Sequence, residues 1–292
     1  LNSDTSRQQL QLIQETPYAI AKLSILSIPL YQIVPPQFPT IRFAFETATL
    51  DYLNGGKEII LQNDFSLRKK ALPINGLIWM GTFEKMQAQI EEKLQAGFNC
   101  IKMKVGAIHF EQEIQLIENL RKHYSAQIIT FRVDANGAFS DADVMEKLNR
   151  LAALGVHSIE QPIRAGQIET MTKLCKNTPL PIALDEELIG VHQLSDKMQL
   201  LQHIKPQYIV LKPSLLGGLH ATAEWISAAE NNDIGWWITS ALEANVGLNA
   251  ICQFTACYPI TLPQGLGTGQ LFENNTPSEL RVEKGTIFLE KN

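Results

Sequence analysis

Residues 100–134, CIKMKVGAIHFEQEIQLIENLRKHYSAQIITFRVD, decide the fold. The stretch opens with a short apolar run, CIKMKV (100–105), and continues as an amphipathic segment of helix formers, HFEQEIQLIENLRKHY (109–124). It closes on a second apolar run, IITFRVD (128–134). Strand, helix, strand is the signature of a parallel βα unit, because parallel strands need a long crossover between them. The same texture recurs on both sides. LPING (72–76) is followed by TFEKMQAQIEEKLQAG (82–97), and the run ending at Asp134 by SDADVMEKLNRLAALG (140–155). HSIEQP (157–162), LPIALDE (180–186), YIVLKPS (208–214), GWWITSALE (235–243) and GLGTG (265–269) extend the series. Strand runs this apolar are expected where both faces are covered. Eight such units close naturally into a barrel of about 200–250 residues. An open doubly wound sheet is the alternative, and the lack of an evident Gly-rich nucleotide turn favours closure.

The flanks read differently. SDTSRQQLQLIQE (3–15) has the polar start of a capped helix, and PTIRFAFETATLDYLNGG (39–56) reads as a longer helix closed by Gly55 and Gly56. TIFLE, within the C-terminal residues 277–292, is strand-like and lies outside the repeat. The expected organisation is therefore a small α+β capping domain over 1–70, joined by 271–292, and a barrel over 71–270. The chain begins at Leu1 rather than Met, as a piece of a longer protein would.

Composition excludes several classes. The 292 residues are 45% hydrophobic and 19% charged, with net charge −5. No basic stripe suggests nucleic acid, and RKK (68–70) reads as a solvated turn. No apolar run reaches the roughly 18–20 residues that span a bilayer. Cys100, Cys175, Cys252 and Cys257 lie in apolar contexts without CxxC spacing. They are expected to be reduced core residues of a cytoplasmic protein.

The strand at 100–105 raises a chemical question, because Lys102 and Lys104 share one face of it. Charged residues end four more of the runs: Asp134, Glu160, Asp185 and Lys212, about 25–30 residues apart. In a barrel these ends open onto one mouth, where active sites are built. Isolated buried charges are costly, so the five require partners or a metal. Pairing Lys104 and Lys212 with acids leaves one carboxylate over. Three oxygen donors on adjacent strands favour Mg²⁺, with Mn²⁺ tolerated. The runs bearing Lys104 and Lys212 stand four apart in a ring of eight, so the amines face each other across the mouth. A free lysine, with pKa about 10.4, is a poor base near neutrality. A neighbouring ammonium, a divalent cation and desolvation all draw such an amine toward the working range. Lys102 is thus expected to hold a substrate anion and to tune Lys104. Ser240 and Glu243 could line the pocket, and Gly267 in GLGTG could offer a backbone N–H to substrate, although a simple tight turn fits that loop equally well. His109, His157, His203 and His220 show no ligand spacing. Trp236 and Trp237 are expected in the core, facing the helices.

KMK (102–104), RVDANGA (132–138), IEQP (159–162), ALDE (183–186), LKPS (211–214) and SALEANVG (240–247), in this order, resemble the enolase superfamily, and within it the muconate-lactonizing subgroup. The resemblance runs from about residue 39 to 272. It implies a (β/α)₇β TIM-type barrel with a capping domain, Asp134, Glu160 and Asp185 as Mg²⁺ ligands, Lys104 as base and Lys212 as the opposing amine. It also implies an antiparallel sheet and specificity loops ahead of the first family helix, which this sequence does not contain. The implied activity is dehydration of a hydroxycyclohexadiene carboxylate to an aromatic acid in menaquinone biosynthesis, through an enediolate. A racemase or cycloisomerase on the same scaffold is the alternative. A Schiff-base aldolase using Lys212 leaves the three acids unexplained, and a non-catalytic barrel leaves all five groups without purpose. DEE (185–187) departs from the subgroup's commoner Asp-Glu-Ser/Thr.

Overall fold

In the computed structural model, which describes residues 34–106, 108–269 and 272–290, the apolar runs pair in the order in which they occur along the chain. The helix expected over 3–15 lies outside the described residues. The run expected at 72–76 divides: β1 (Leu72–Pro73) leaves for a separate sheet, and β2 (Gly76–Ile78) begins the parallel one. β3 (Cys100–Lys104), β4 (Thr130–Asp134), β5 (Ser158–Glu160), β6 (Ile182–Leu184), β7 (Tyr208–Leu211) and β8 (Gly235–Ile238) follow, each hydrogen-bonded to the next. Closure comes from Gln264 and the first residue of GLGTG, Gly265. Gln264 bridges in parallel to Ile74 beside β2, and Gly265 to Thr239 beside β8. Backbone bonds from Asn75 N to Gln264 O (2.9 Å) and from Gly265 N to Ile238 O (2.8 Å) seal the ring on both sides. This short segment is the eighth stave.

Amphipathic helices cover the outside. They are α1 (Pro39–Leu53), ahead of the barrel, then α2 (Phe83–Gln95), α3 (Phe110–His123), α4 (Val144–Ala153), α5 (Ile168–Asn177) and α6 (Leu194–Ile204). The short α7 (Pro213–Leu216), α8 (Leu219–Glu230) and α9 (Asn245–Thr255) complete the set. Thr82 caps α2 by accepting from Lys85 N, with Glu84 in the first turn and Lys93 in the last, in the sense the helix dipole favours. Packing the apolar stripes of these helices on the outer faces of the staves buries one continuous core, from Ile78 and Met103 through Phe131 and Ile159 to Ile238 and Ile251.

Three further contacts bear on the site. β1 pairs antiparallel with β10 (Thr286–Leu289), which pairs with β9 (Leu280–Glu283), so TIFLE lies beside the start of the barrel. α1 docks onto the segment after β7, with Thr40 Oγ1 donating to Ser214 O (3.1 Å). Glu46 on α1 accepts the backbone N–H of Leu219 and, at 2.9 Å, that of His220. Two expectations need correction. Trp237 faces the barrel interior, where the buried Arg132 guanidinium stacks 4.2 Å from its ring, while Trp236 alone faces outward, against Tyr258. Period-2 alternation along β8 sends neighbours to opposite faces, so the pair cannot share one. Cys100, Cys175 and Cys252 are buried, but Cys257 is exposed beyond the end of α9.

Candidate active site

The five charged residues that close the apolar runs lie at the C-terminal ends of staves. Lys104, Asp134 and Glu160 are the last residues of β3, β4 and β5, while Asp185 and Lys212 directly follow β6 and β7. Register makes them neighbours: Lys104 is opposite Asp134, and Asp134 opposite Glu160. The three carboxylates are fully buried, and one oxygen from each lies within 4.8 Å of the others.

The ion pairs show how the charges are met. Lys102 Nζ pairs with Glu160 and, at 3.0 Å, with Asp134 Oδ2. Lys104 Nζ reaches the same Asp134 oxygen at 3.0 Å and donates to Asn136 Oδ1 at 2.6 Å. Lys212 pairs with Asp185 of the neighbouring stave. Lys102 therefore takes the acid that pairing Lys104 and Lys212 alone would leave over, and formal charges balance among these six groups. Burial still strains them. It pulls the Lys102 ammonium down, but Asp134, Glu160 and Asp185 outweigh it and lift the group above the ordinary lysine value. Burial likewise opposes ionisation of Asp134, yet Lys102 and Lys104 hold that carboxyl well below the usual range. Glu160 goes the other way: burial, helped by Asp134 and Asp185 and only partly offset by Lys102, pushes it up to about 7. Asp185 is also raised, mainly by burial. For Lys212, burial works downward and Asp185 more than compensates, so it too is raised. The far oxygen of Glu160, Oε1, has no hydrogen-bond partner. Clustered buried carboxylates with an unpartnered oxygen, an all-oxygen donor set and a cost to ionisation fit a hard divalent cation.

Support around these groups was not assigned from sequence. Gln161, the residue after Glu160, accepts Asp185 N–H through Oε1 (3.1 Å) and donates Nε2 to Ile163 O and Glu187 Oε2, both at 3.1 Å. Glu187 also accepts Gly166 N–H at 2.9 Å. The extra acid of DEE thus ties the loop after β5 to the one after β6. Asn136 accepts from Lys104 while its amide donates to Glu186 at 2.9 Å. Glycine is required in RVDANGA: Gly137 has φ +75°, and a Cβ there would meet Arg164 Cα at 2.8 Å. That close approach lets the loops after β4 and β5 bond directly, Gly137 N to Gln161 O at 2.7 Å.

A cavity of about 240 Å³ opens above the acids, lined in part by Lys102, Lys104, Asp134, Lys212, Ser240 and Gly267. The Ser240 hydroxyl is engaged within its own turn, accepting from Leu242 N (2.9 Å) and donating to Glu243 (2.6 Å). Glu243 also accepts from Ser214 Oγ, so it links the segments after β7 and β8. Trp79, whose ring lies 5.9 Å from Lys104 Nζ, forms part of the wall.

A protein-family model described as Enolase C-terminal domain-like matches residues 85–291. The chain belongs to the enolase superfamily. It is 53% identical over 251 residues to o-succinylbenzoate synthase from Desulfotalea psychrophila, a match covering 86% of this chain and 68% of the relative. The crystal structure of MenC from that organism superposes with a TM-score of 0.83 at 46% identity, covering 93% of this chain and 80% of the other. A muconate lactonizing enzyme, 21% identical with a TM-score of 0.74 over 93% of this chain and 73% of its own, shares the barrel. This member of the superfamily is a homologue of a lyase, and no helix among the described residues is long and apolar enough to cross a membrane.

Proposed function

We propose that this chain is an o-succinylbenzoate synthase, a Mg²⁺-dependent lyase that eliminates water from a succinyl-hydroxycyclohexadiene carboxylate in menaquinone biosynthesis. The observation that carries the reading is the buried set Asp134, Glu160 and Asp185 within 4.8 Å of one another, flanked by amines from staves on opposite sides of the mouth. The match to the Desulfotalea enzyme supports the choice of reaction.

Mg²⁺, with Mn²⁺ accepted, would be held by these three residues and would supply positive charge beside the substrate carboxylate, acidifying the neighbouring C–H. Lys104 Nζ, in its neutral form, takes the proton α to that carboxylate, and the C–H electron pair spreads into the carboxylate. The resulting ammonium is oriented by Asn136 Oδ1 and Asp134. It then returns the proton to the departing hydroxyl as the C–O bond breaks. The electron pair closes the aromatic ring, water leaves, and Lys104 is neutral again. A single amine serves both transfers because proton and hydroxyl leave from one face. Lys212 stays a cation on the other face and steadies the negative charge. Lys102 holds the substrate carboxylate, and Ser240 and Gly267 shape the substrate wall. We place the enzyme in the cytoplasm, with residues 1–70 and 271–292 as its capping portion and 71–270 as the barrel.

Purified protein should convert the cyclohexadiene carboxylate to o-succinylbenzoate; EDTA should stop turnover and Mg²⁺ restore it. Turnover indifferent to EDTA contradicts the proposal. Amines on opposite faces also suit proton exchange with inversion, as in a racemase of N-acylamino acids or a cycloisomerase. Inverted, α-deuterated product in D₂O, with no dehydration of the cyclohexadiene acid, would favour that second reading.

A further inference from the structure

Trp79, the first residue after β2, is left 38% exposed at the rim of the mouth, although burying an aromatic ring is among the larger gains a side chain can make. The barrel sets its place. Parallel register puts Ile78 beside Met103, so Trp79 comes next to Lys104 at the ends of the first two staves. Alternation turns its ring inward with Leu77, away from the outward-facing, buried Ile78, and Leu77 and Trp79 both line the 240 Å³ mouth. The backbone of Trp79 is held at both of its polar groups. Gln89 on α2 accepts Trp79 N–H through Oε1 at 2.8 Å and donates Nε2 to Trp79 O at 3.0 Å. One carboxamide thus fixes the chain as a further strand would, and the indole stays open to the mouth.

The indole centroid lies 5.9 Å from Lys104 Nζ. Proton abstraction needs a substrate carbon about 3–3.5 Å from that nitrogen, and paired rings stand with centroids about 4.5–7 Å apart. A six-membered ring lying against the indole, with its edge toward the amine, meets both conditions. Leu215 and Leu242 extend the apolar wall, while Lys102, Lys104, Asp134 and Lys212 make up the charged one. An acid that gives its carboxylate to the charged wall therefore lays its ring on the apolar one.

We propose that Trp79 is a specificity residue, a platform on which the ring of a cyclic carboxylate rests while Lys104 works at its edge. This rests on the mouth being the substrate site of the synthase proposed above. A ring that flattens toward aromaticity gains face contact with the indole as the reaction proceeds, and an acyclic acid gains none.

The test compares binding of o-succinylbenzoate with that of 4-oxoheptanedioate, which keeps both carboxylates and the ketone and lacks only the ring, by calorimetry on the Mg²⁺-loaded protein. Wild type should prefer the ring at least about tenfold. Trp79→Ala should weaken o-succinylbenzoate about tenfold and leave 4-oxoheptanedioate within about twofold, and Trp79→Phe should restore most of the preference. Gln89→Leu, which frees the backbone of Trp79, should lower the preference in part. Equal weakening of both ligands in Trp79→Ala, or no weakening of either, overturns the platform. Wild type that binds Mg²⁺ but neither dehydrates the substrate nor binds o-succinylbenzoate instead overturns the functional reading beneath it.

Discussion

The second to sixth staves and the seam between the first and eighth line the same mouth but are built on opposite principles. On the former side the groups are charged, buried and bonded to one another, with Lys102, Lys104 and Lys212 against Asp134, Glu160 and Asp185. On the latter they are neutral, and two of their oxygens, Asn75 Oδ1 and Thr268 Oγ1, have no hydrogen-bond partner. Desolvated charges must be matched from within, and a matched set is rigid and fixes where a cation and a carboxylate sit. A neutral wall tolerates waiting for its partner. The difference is that the charged side is fixed by its own ion pairs while the neutral side is not.

Breaking the charged side should have the largest effects. Lys104→Ala removes the group assigned both proton transfers and should lower kcat at least about 10³-fold with KM little changed, measured by steady-state turnover. Retained activity would remove Lys104 from its role. Glu160→Gln keeps the shape but deletes a donor, and Mg²⁺ affinity by calorimetry should fall at least about a hundredfold. Smaller is the expected cost of Glu187→Gln: weakening its hold on Gln161 and the Gly166 amide should lower Mg²⁺ affinity by about tenfold, with the fold unchanged by circular dichroism. An unaltered affinity would make Glu187 a loop tie alone. Ser240→Ala should have the least effect on catalysis, because its hydroxyl serves its own turn. A stability loss of about 1 kcal/mol in urea and turnover within about tenfold of wild type are expected. A far larger loss of turnover at equal stability would move Ser240 to the reacting substrate.

The same contrast governs what could be read in advance. A lysine or aspartate closing an apolar run is conspicuous, because burial of a lone charge demands a reason, and the regular spacing from Lys104 to Lys212 shows that the reason is shared. Asn75 and Thr268 give no such signal. Asn and Thr are ordinary in turns, and only closure of the ring by Gln264 and Gly265 brings them together. Gln161 was visible inside IEQP, yet its role depends on a bond to Glu187 from a different loop. The count of acids against lysines went astray at Lys102, whose position on the inner face was legible but whose pairing with Glu160 was not. Trp237 was misplaced because an apolar pair in a strand does not declare which member faces the interior.

The central claim is that three carboxylates from adjacent staves share one divalent cation beneath opposed amines. Anomalous diffraction from crystals grown with Mn²⁺ tests it most directly. A single strong peak within about 2.0–2.3 Å of one oxygen each from Asp134, Glu160 and Asp185, with Lys102 and Lys212 drawn off the ligating oxygens, is the result predicted. No peak there, with the lysines still paired to all three acids, would contradict it.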